Sequence, residues 1–219
     1  MIAQKWKDRW YSAWVPVLKA NQFRYRITAP KSGDICINIG SGKSQFDGWI
    51  NIDGNFMHRP DMWLDVRNGL PFQSGSVKLI YSCHFFEHLY LNELKPLLIE
   101  CRRVLRPDGG MRIAVPNLRS AIIAYHQNRN EWFSQFPQEF NSIGGRFFNE
   151  MLCGDQHRLM FDQSFLSEVL TEAGFSRIYE VNRGQSKLLP ESHQILQREM
   201  ESRDESKQPD PWLIAEALP

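Results

Sequence analysis

Between residues 34 and 182 the chain alternates short apolar runs with stretches whose apolar residues recur at helical spacing. Residues 35–39 (ICINI) and 49–52 (WINI) read as buried strands, the first broken by Gly40 and Gly42, the second ending in Asp53. Residues 77–81 read as a third strand. In residues 90–105, Leu91, Leu94, Leu97, Leu98, Cys101, Val104 and Leu105 fall on one helical face. Pro107-Asp108-Gly109-Gly110 predicts a turn, and 111–115 a strand stopped by Pro116. Residues 165–173 predict a helix with Gly174 as its stop, followed by strands at 177–181 and 212–217. Strand, helix, turn and strand in that order predict a parallel sheet with crossover helices.

Three stretches fall outside this rhythm. Residues 2–19 place Trp6, Trp10 and Trp14 four apart, hence on one helical face. That helix either packs on the domain or, being basic, touches a membrane surface or a partner. Residues 117–164 are aromatic and polar and too long for an ordinary connection, which predicts an insertion or lid roofing a substrate pocket. Residues 182–211 are polar, with a short helix expected around 192–203. The expected organisation is a basic helical arm, 1–31, and one domain, 32–219, carrying the 117–164 insertion.

Charge changes this picture in one respect. The whole chain is near neutral, with 26 Lys and Arg against 25 Asp and Glu. Residues 1–31, however, hold seven Lys or Arg against Asp8 alone, leaving the remainder acidic. That balance, and the lack of Lys and Arg among the aromatics of 125–148 beyond Arg129 and Arg146, argue against a nucleic-acid partner. A small-molecule substrate is expected; the oligomeric state is left open. Cys36, Cys83, Cys101 and Cys153 show no paired spacing, so reduced thiols in a cytoplasmic protein are expected. No apolar run approaches a membrane span, so no stable membrane insertion is expected, and charges from Lys5 onward interrupt any secretory-type apolar stretch.

The chemistry begins at the first two strands. A glycine turn lets the backbone approach a ligand, and a carboxylate ending the next strand can accept both hydroxyls of a ribose. Gly40, Gly42 and Asp53 are therefore candidates for binding a nucleoside.

The blocks "INIGSGKSQFDGWINIDG", "DVRNGLPFQSGSVKLIYSCHFFEHL", "LIECRRVLRPDGGMRIAVPN" and "AGFSRIYEV", in that order, resemble the class I S-adenosylmethionine-dependent methyltransferases. The resemblance covers about residues 34–182, with "WLIAEA" as a terminal strand. It is closest to a small bacterial subgroup of predicted methyltransferases, in which a His-Arg pair similarly precedes the "AGF" helix end; here it lies in "HRLMFD". The resemblance implies a Rossmann-like α/β fold, a seven-stranded, mostly parallel sheet with the last strand antiparallel, and S-adenosyl-L-methionine as cofactor. It implies that Gly40 and Gly42 lie under the methionine part and Asp53 at the ribose, with Asn38, Ser41 and Gly54 also binding the cofactor. Asp65 and Val66 would face the adenine, and Ser82, Cys83 and His84 would border the transferable methyl.

Only nine residues, 40–48, separate the first two strands, fewer than a helical crossover needs. The helix after the glycine turn must be absent or reduced to a turn. Dinucleotide sites use that helix N-terminus to hold the pyrophosphate, whereas S-adenosylmethionine carries no phosphate. The shortening therefore counts against a nicotinamide-dependent oxidoreductase. A non-enzymatic domain binding S-adenosylmethionine or S-adenosylhomocysteine is the other alternative.

Methyl transfer to oxygen needs a proton acceptor, and histidine suits that role near neutral pH. His84 and His157 are the catalytic candidates, and His88, Arg158 and Asp162 the substrate-binding ones. Asp162 has a second reading as the cap of the helix that follows it. Glu87-His88 is expected to orient its loop and cap the next helix. One Glu and one His make a poor site for a hard cation, so no metal is expected. His58, His126 and His193 read as surface residues. A hydroxyl-bearing acceptor, such as a sugar or glycan precursor, is favoured by analogy with the subgroup.

Overall fold

The computed structural model describes residues 4–31, 33–133, 140–153, 156–191 and 193–219, with side chains from residue 13 onward. The side chains of Trp6 and Trp10, and Phe136 in the insertion, lie outside the described residues.

Seven strands form one sheet: β1 (Ile35–Ile39), β2 (Ile50–Asp53), β3 (Met62–Trp63), β4 (Val77–Cys83), β5 (Leu105–Pro116), β6 (Arg177–Val181) and β7 (Trp212–Leu218). Their order is β3-β2-β1-β4-β5-β7-β6. The pairs β1–β2, β1–β4, β2–β3 and β4–β5 are parallel, and β7 runs antiparallel to both β5 and β6. The helices are α1 (Gln4–Thr28), α2 (Leu91–Val104), α3 (Leu118–His126), α4 (Ile143–Leu152), α5 (Gln163–Glu172) and α6 (Gln194–Glu201).

Alternation along the strands separates two cores. Ile37 and Ile39 of β1, Ile80 of β4, Met111 and Ile113 of β5 and Ala215 of β7 face one side. There the apolar face of α2, with Leu94, Leu98 and Cys101, and that of α5, with Leu166 and Leu170, cover them. On the opposite side, Cys36, Leu79, Tyr81 and Cys83 meet Phe46 and Trp49 of the first crossover together with Leu189, Ile195 and Leu196. The first crossover, residues 40–49, contains turns only. The helix it lacks is replaced by α6 from the far end of the chain. Phe46 lies edge-on to Tyr81 with ring centroids 5.5 Å apart, and Gln194 donates to the Asp47 carbonyl at 3.0 Å.

The remaining differences from the sequence-based expectations have local causes. The 107–110 turn is a bulge within β5: pairing jumps from Val77↔Leu105 to Leu79↔Gly110. Gly109 allows that approach, since a Cβ there would lie 2.6 Å from the Lys78 carbonyl. The 117–164 insertion contains α3 and α4 around its own small core of Ala121, Ala124, Trp132, Phe133 and Met151, whereas Phe140 and Phe148 are exposed. α1 continues to Thr28 and packs along the β3 edge. Trp14 meets Phe56 and Trp63, Asn21 donates to the Trp63 carbonyl, and Gln22 donates to the Gly69 carbonyl. Among the described residues no helix is long and apolar enough to cross a membrane.

Candidate active site

The carboxyl ends of β1, β2, β4 and β5 meet at one edge of the sheet, where open α/β folds bind ligands. The turn after β1 is left-handed at Gly40 (φ 68°) and Gly42 (φ 51°), a conformation that favours glycine. It folds back so that Gly42 N–H donates to Asp53 Oδ2 at 2.7 Å, and Gly40 and Ser41 N–H both donate to the Ile52 carbonyl. Asp53 Oδ1 accepts from Asn55 N–H at 2.7 Å. A carboxylate has about four acceptor sites, so two strong donors leave capacity for further hydroxyls.

The two glycines differ in purpose. A Cβ on Gly40 would lie 2.5 Å from the Phe85 ring, so glycine at this position makes room for Phe85. A Cβ on Gly42 would meet nothing within 4 Å. Between them the buried Ser41 Oγ has no hydrogen-bond partner among the described residues. An open approach at Gly42, an orphaned hydroxyl and a half-satisfied carboxylate fit a ligand with an amino-acid part and a ribose.

Other expected contacts are engaged elsewhere. The buried Asn38 amide donates to the Ser44 carbonyl and to Asn51 Oδ1, bracing the crossover. Ser82 is buried and donates to the Ile39 carbonyl. Cys83 packs on the α6 side, where burial pushes its thiol up to about 12. The Gly54 carbonyl accepts from Trp63 Nε1 at 2.9 Å, and Val66 lies in the main core. The Asp65 carboxylate accepts from Arg67 N–H, the Arg67 guanidinium and Asn68, so its oxygens are occupied locally. Asp162 caps α5, its Oδ1 accepting from Phe165 N–H at 2.8 Å and from Ser164 Oγ, as its second reading has it. Those bonds, Phe165 first, hold its carboxyl below the usual range.

At the end of β4 the candidate histidines come together around a residue expected only to cap a helix. Glu87 is fully buried, at 0 % side-chain exposure. Its backbone carbonyl accepts from Arg158 and Leu159 N–H, docking the 157–159 segment, so the loop-orienting part of the expectation stands. The next helix is instead closed by Glu93, which accepts from Tyr90 N–H at 2.9 Å. His84 Nδ1 lies 3.0 Å from Glu87 Oε1, its ring edge-on to Trp212 at 4.9 Å between centroids. His84 holds a left-handed φ of 52°, unusual for a side chain of its size, and is 38 % exposed. His157, 10 % exposed, places Nε2 3.8 Å from Glu87 Oε1 and Nδ1 2.7 Å from the Met151 carbonyl. Burial, ahead of the opposing pull of Glu87, lowers its pKa. His88 Nδ1 lies 3.0 Å from the Gln156 carbonyl, and its ring is 5.0 Å from that of His157. The Arg158 guanidinium lies over the Tyr90 ring at 5.1 Å.

Two histidines expected on the surface are structural. His58 is partly buried with Nδ1 3.5 Å from Asp53 Oδ1, and His193 caps α6. A hollow of about 770 Å³ lies beyond β6 around Asn182 and Lys187 and includes none of these groups.

Seven strands in this order, with β7 antiparallel and a glycine turn facing an acidic strand end, define the class I methyltransferase fold. Residues 61–113 match the family model described as a methyltransferase domain. Among solved structures, an S-adenosylmethionine-dependent methyltransferase from Archaeoglobus fulgidus is 16 % identical. That match covers 93 % of this chain and 94 % of its own, with a TM-score of 0.53. One from Thermotoga maritima, titled a possible histamine N-methyltransferase, is 12 % identical over 96 % and 95 % of the two chains, with a TM-score of 0.50. No curated protein matches the chain. The fold is that of the class I methyltransferases, and the methyltransferase-domain match falls on residues 61–113 of it.

Proposed function

We propose that this enzyme methylates a hydroxyl oxygen of a small polar acceptor, with His84 as the general base. The observation that carries this reading is the His84–Glu87 pair. A buried carboxylate at 3.0 Å holds the Nδ1 proton, which leaves Nε2 on a part-exposed ring as the proton acceptor. The bound cofactor supplies a methyl group on a sulfonium, a leaving group needing no protonation. The chain must then align the acceptor oxygen, exclude water and take the hydroxyl proton. Asp53 holds the ribose, and the 40–42 turn with Ser41 Oγ receives the amino-acid part. Glu87 keeps His84 in its Nδ1–H tautomer, and His157, with little exposure and its Nδ1 given to the Met151 carbonyl, does not act as the base. Arg158, on the segment docked against Glu87, is placed to pair with an acidic group on the acceptor.

The test is incubation of the protein with S-adenosylmethionine and fractionated hydroxyl-bearing metabolites, read by mass spectrometry. Expected are S-adenosylhomocysteine and an acceptor heavier by one methylene, with turnover falling by about 10²–10⁴ in His84→Ala. Methylation at nitrogen or carbon, or turnover indifferent to His84→Ala, would overturn the reading.

A further inference from the structure

We infer that Glu87, His88 and His157 form a binding site for one divalent transition-metal ion, of the zinc type, beside the reaction centre. One ligating atom from each of the three side chains lies within 4.8 Å of the other two. The protonation pattern completes the case. A main-chain carbonyl can only accept, so the contacts of His157 Nδ1 with Met151 O and of His88 Nδ1 with Gln156 O fix the proton on Nδ1 in both rings. Each imidazole is thereby left with a bare, basic Nε2. Metal-binding histidines are oriented in this way, through the second N–H given to a carbonyl.

Glu87 adds an independent observation. Oε1 accepts from His84, whereas the fully buried Oε2 has no hydrogen-bond partner among the described residues. A desolvated carboxylate oxygen without a donor, on a side chain whose other oxygen lies 3.8 Å from the bare His157 Nε2, is an arrangement a cation resolves. Zinc holds such ligands at about 2.0–2.2 Å, which places them roughly 3.3 Å apart in a tetrahedron, so the three atoms, now within 4.8 Å, would draw together on binding. Two imidazoles and one carboxylate suit a borderline transition ion better than magnesium or calcium, which take oxygen ligands. Three protein ligands also leave coordination open for water or a substrate oxygen. The expectation of no metal rested on Glu87 and His88 alone. His157 arrives from the insertion, brought in by the Arg158 and Leu159 N–H bonds to the Glu87 carbonyl.

The test uses untagged full-length protein, stripped with a chelator and returned to Zn(II) or Co(II). Expected are one zinc per chain by elemental analysis after gel filtration, a raised thermal midpoint, and visible d–d absorption from the Co(II) form. Glu87→Gln, nearly isosteric, should weaken zinc binding at least by the roughly 10–100-fold that outer-shell losses cost. His126→Ala, on the exposed surface, should leave it unchanged. If Glu87→Gln does not fold, His88→Asn carries the same expectation. Substoichiometric zinc in the unsubstituted protein, or equal binding by the Glu87→Gln and His126→Ala forms, would overturn the inference. Calorimetry with S-adenosylhomocysteine separates this from the methyl-transfer reading, since each ligand can bind without the other.

Discussion

At the scale of single residues, acidic side chains at loop starts have divergent roles. Asp65 and Asp162 both precede a helical turn and both give their oxygens to nearby backbone N–H groups. Asp53 ends a strand, accepts from Gly42 and Asn55, and retains capacity for a ligand. Asp53→Ala should therefore weaken S-adenosylhomocysteine binding by at least tenfold, from charge-assisted bonds worth roughly 1.5–3 kcal/mol each. Isothermal calorimetry gives the answer, and an unchanged affinity would remove Asp53 from the cofactor site. The glycine turn and Asp53 were legible in the sequence because spacing alone puts them together. The buried state of Glu87 was not. Its surroundings come from residues 156–159, which no local pattern connects to it, and a Glu before a helix reads as a cap.

Among the elements, α6 is the one whose position no periodicity predicts. Its existence could be read from residues 192–203, but its place over β1 and β4 depends on the absence of a helix in residues 40–49. The strands were legible because each is a short apolar run between breaks. The two-residue β3 was too short to register, and α3 and α4 were hidden by an aromatic composition that fits no single face. The cap of α6 makes its stability sensitive to pH. His193 Nδ1 accepts from Ile195 N–H at 3.2 Å, which requires the neutral ring, and burial followed by the Arg112 charge lowers its pKa. With the folded pKa below the unfolded one, the unfolded state binds the proton first as pH falls. Stability should therefore decline on acidification through about pH 6.5, the ordinary histidine value. In His193→Asn, which keeps a capping group that does not titrate, urea denaturation between pH 7.5 and pH 5, on the order of one histidine titration, should show a flatter dependence. An identical slope would place the acid sensitivity elsewhere.

For the whole molecule, the second core is closed by a buried ion cluster joining distant parts of the chain. Arg112 of β5 donates to both oxygens of Glu199 on α6, at 2.9 and 2.6 Å, and to Glu216 of β7 at 2.7 Å. Further donors, Tyr81 Oη, Gly184 N–H and Lys187 N–H, satisfy the carboxylates. Removing one member leaves a desolvated charge short of its partner. Glu199→Ala should accordingly cost about 3–5 kcal/mol of stability in chemical denaturation. Lys95→Ala, which breaks the exposed pair with Glu172, should cost no more than about 1 kcal/mol. Equal losses would show that the cluster does not hold the second face.

The helix missing from the first crossover also bears on the order of events at the ribosome. In a chain with an ordinary crossover helix, β1 and β2 are covered on that face as soon as they emerge. Here Phe46, Trp49 and Tyr81 must wait for Leu189, Ile195 and Leu196. Contacts so far apart in sequence slow folding and leave apolar surface open to wrong partners in the meantime. The nascent chain, having completed all its parallel strands, still presents one face of its sheet bare until residues 189–196 have been made.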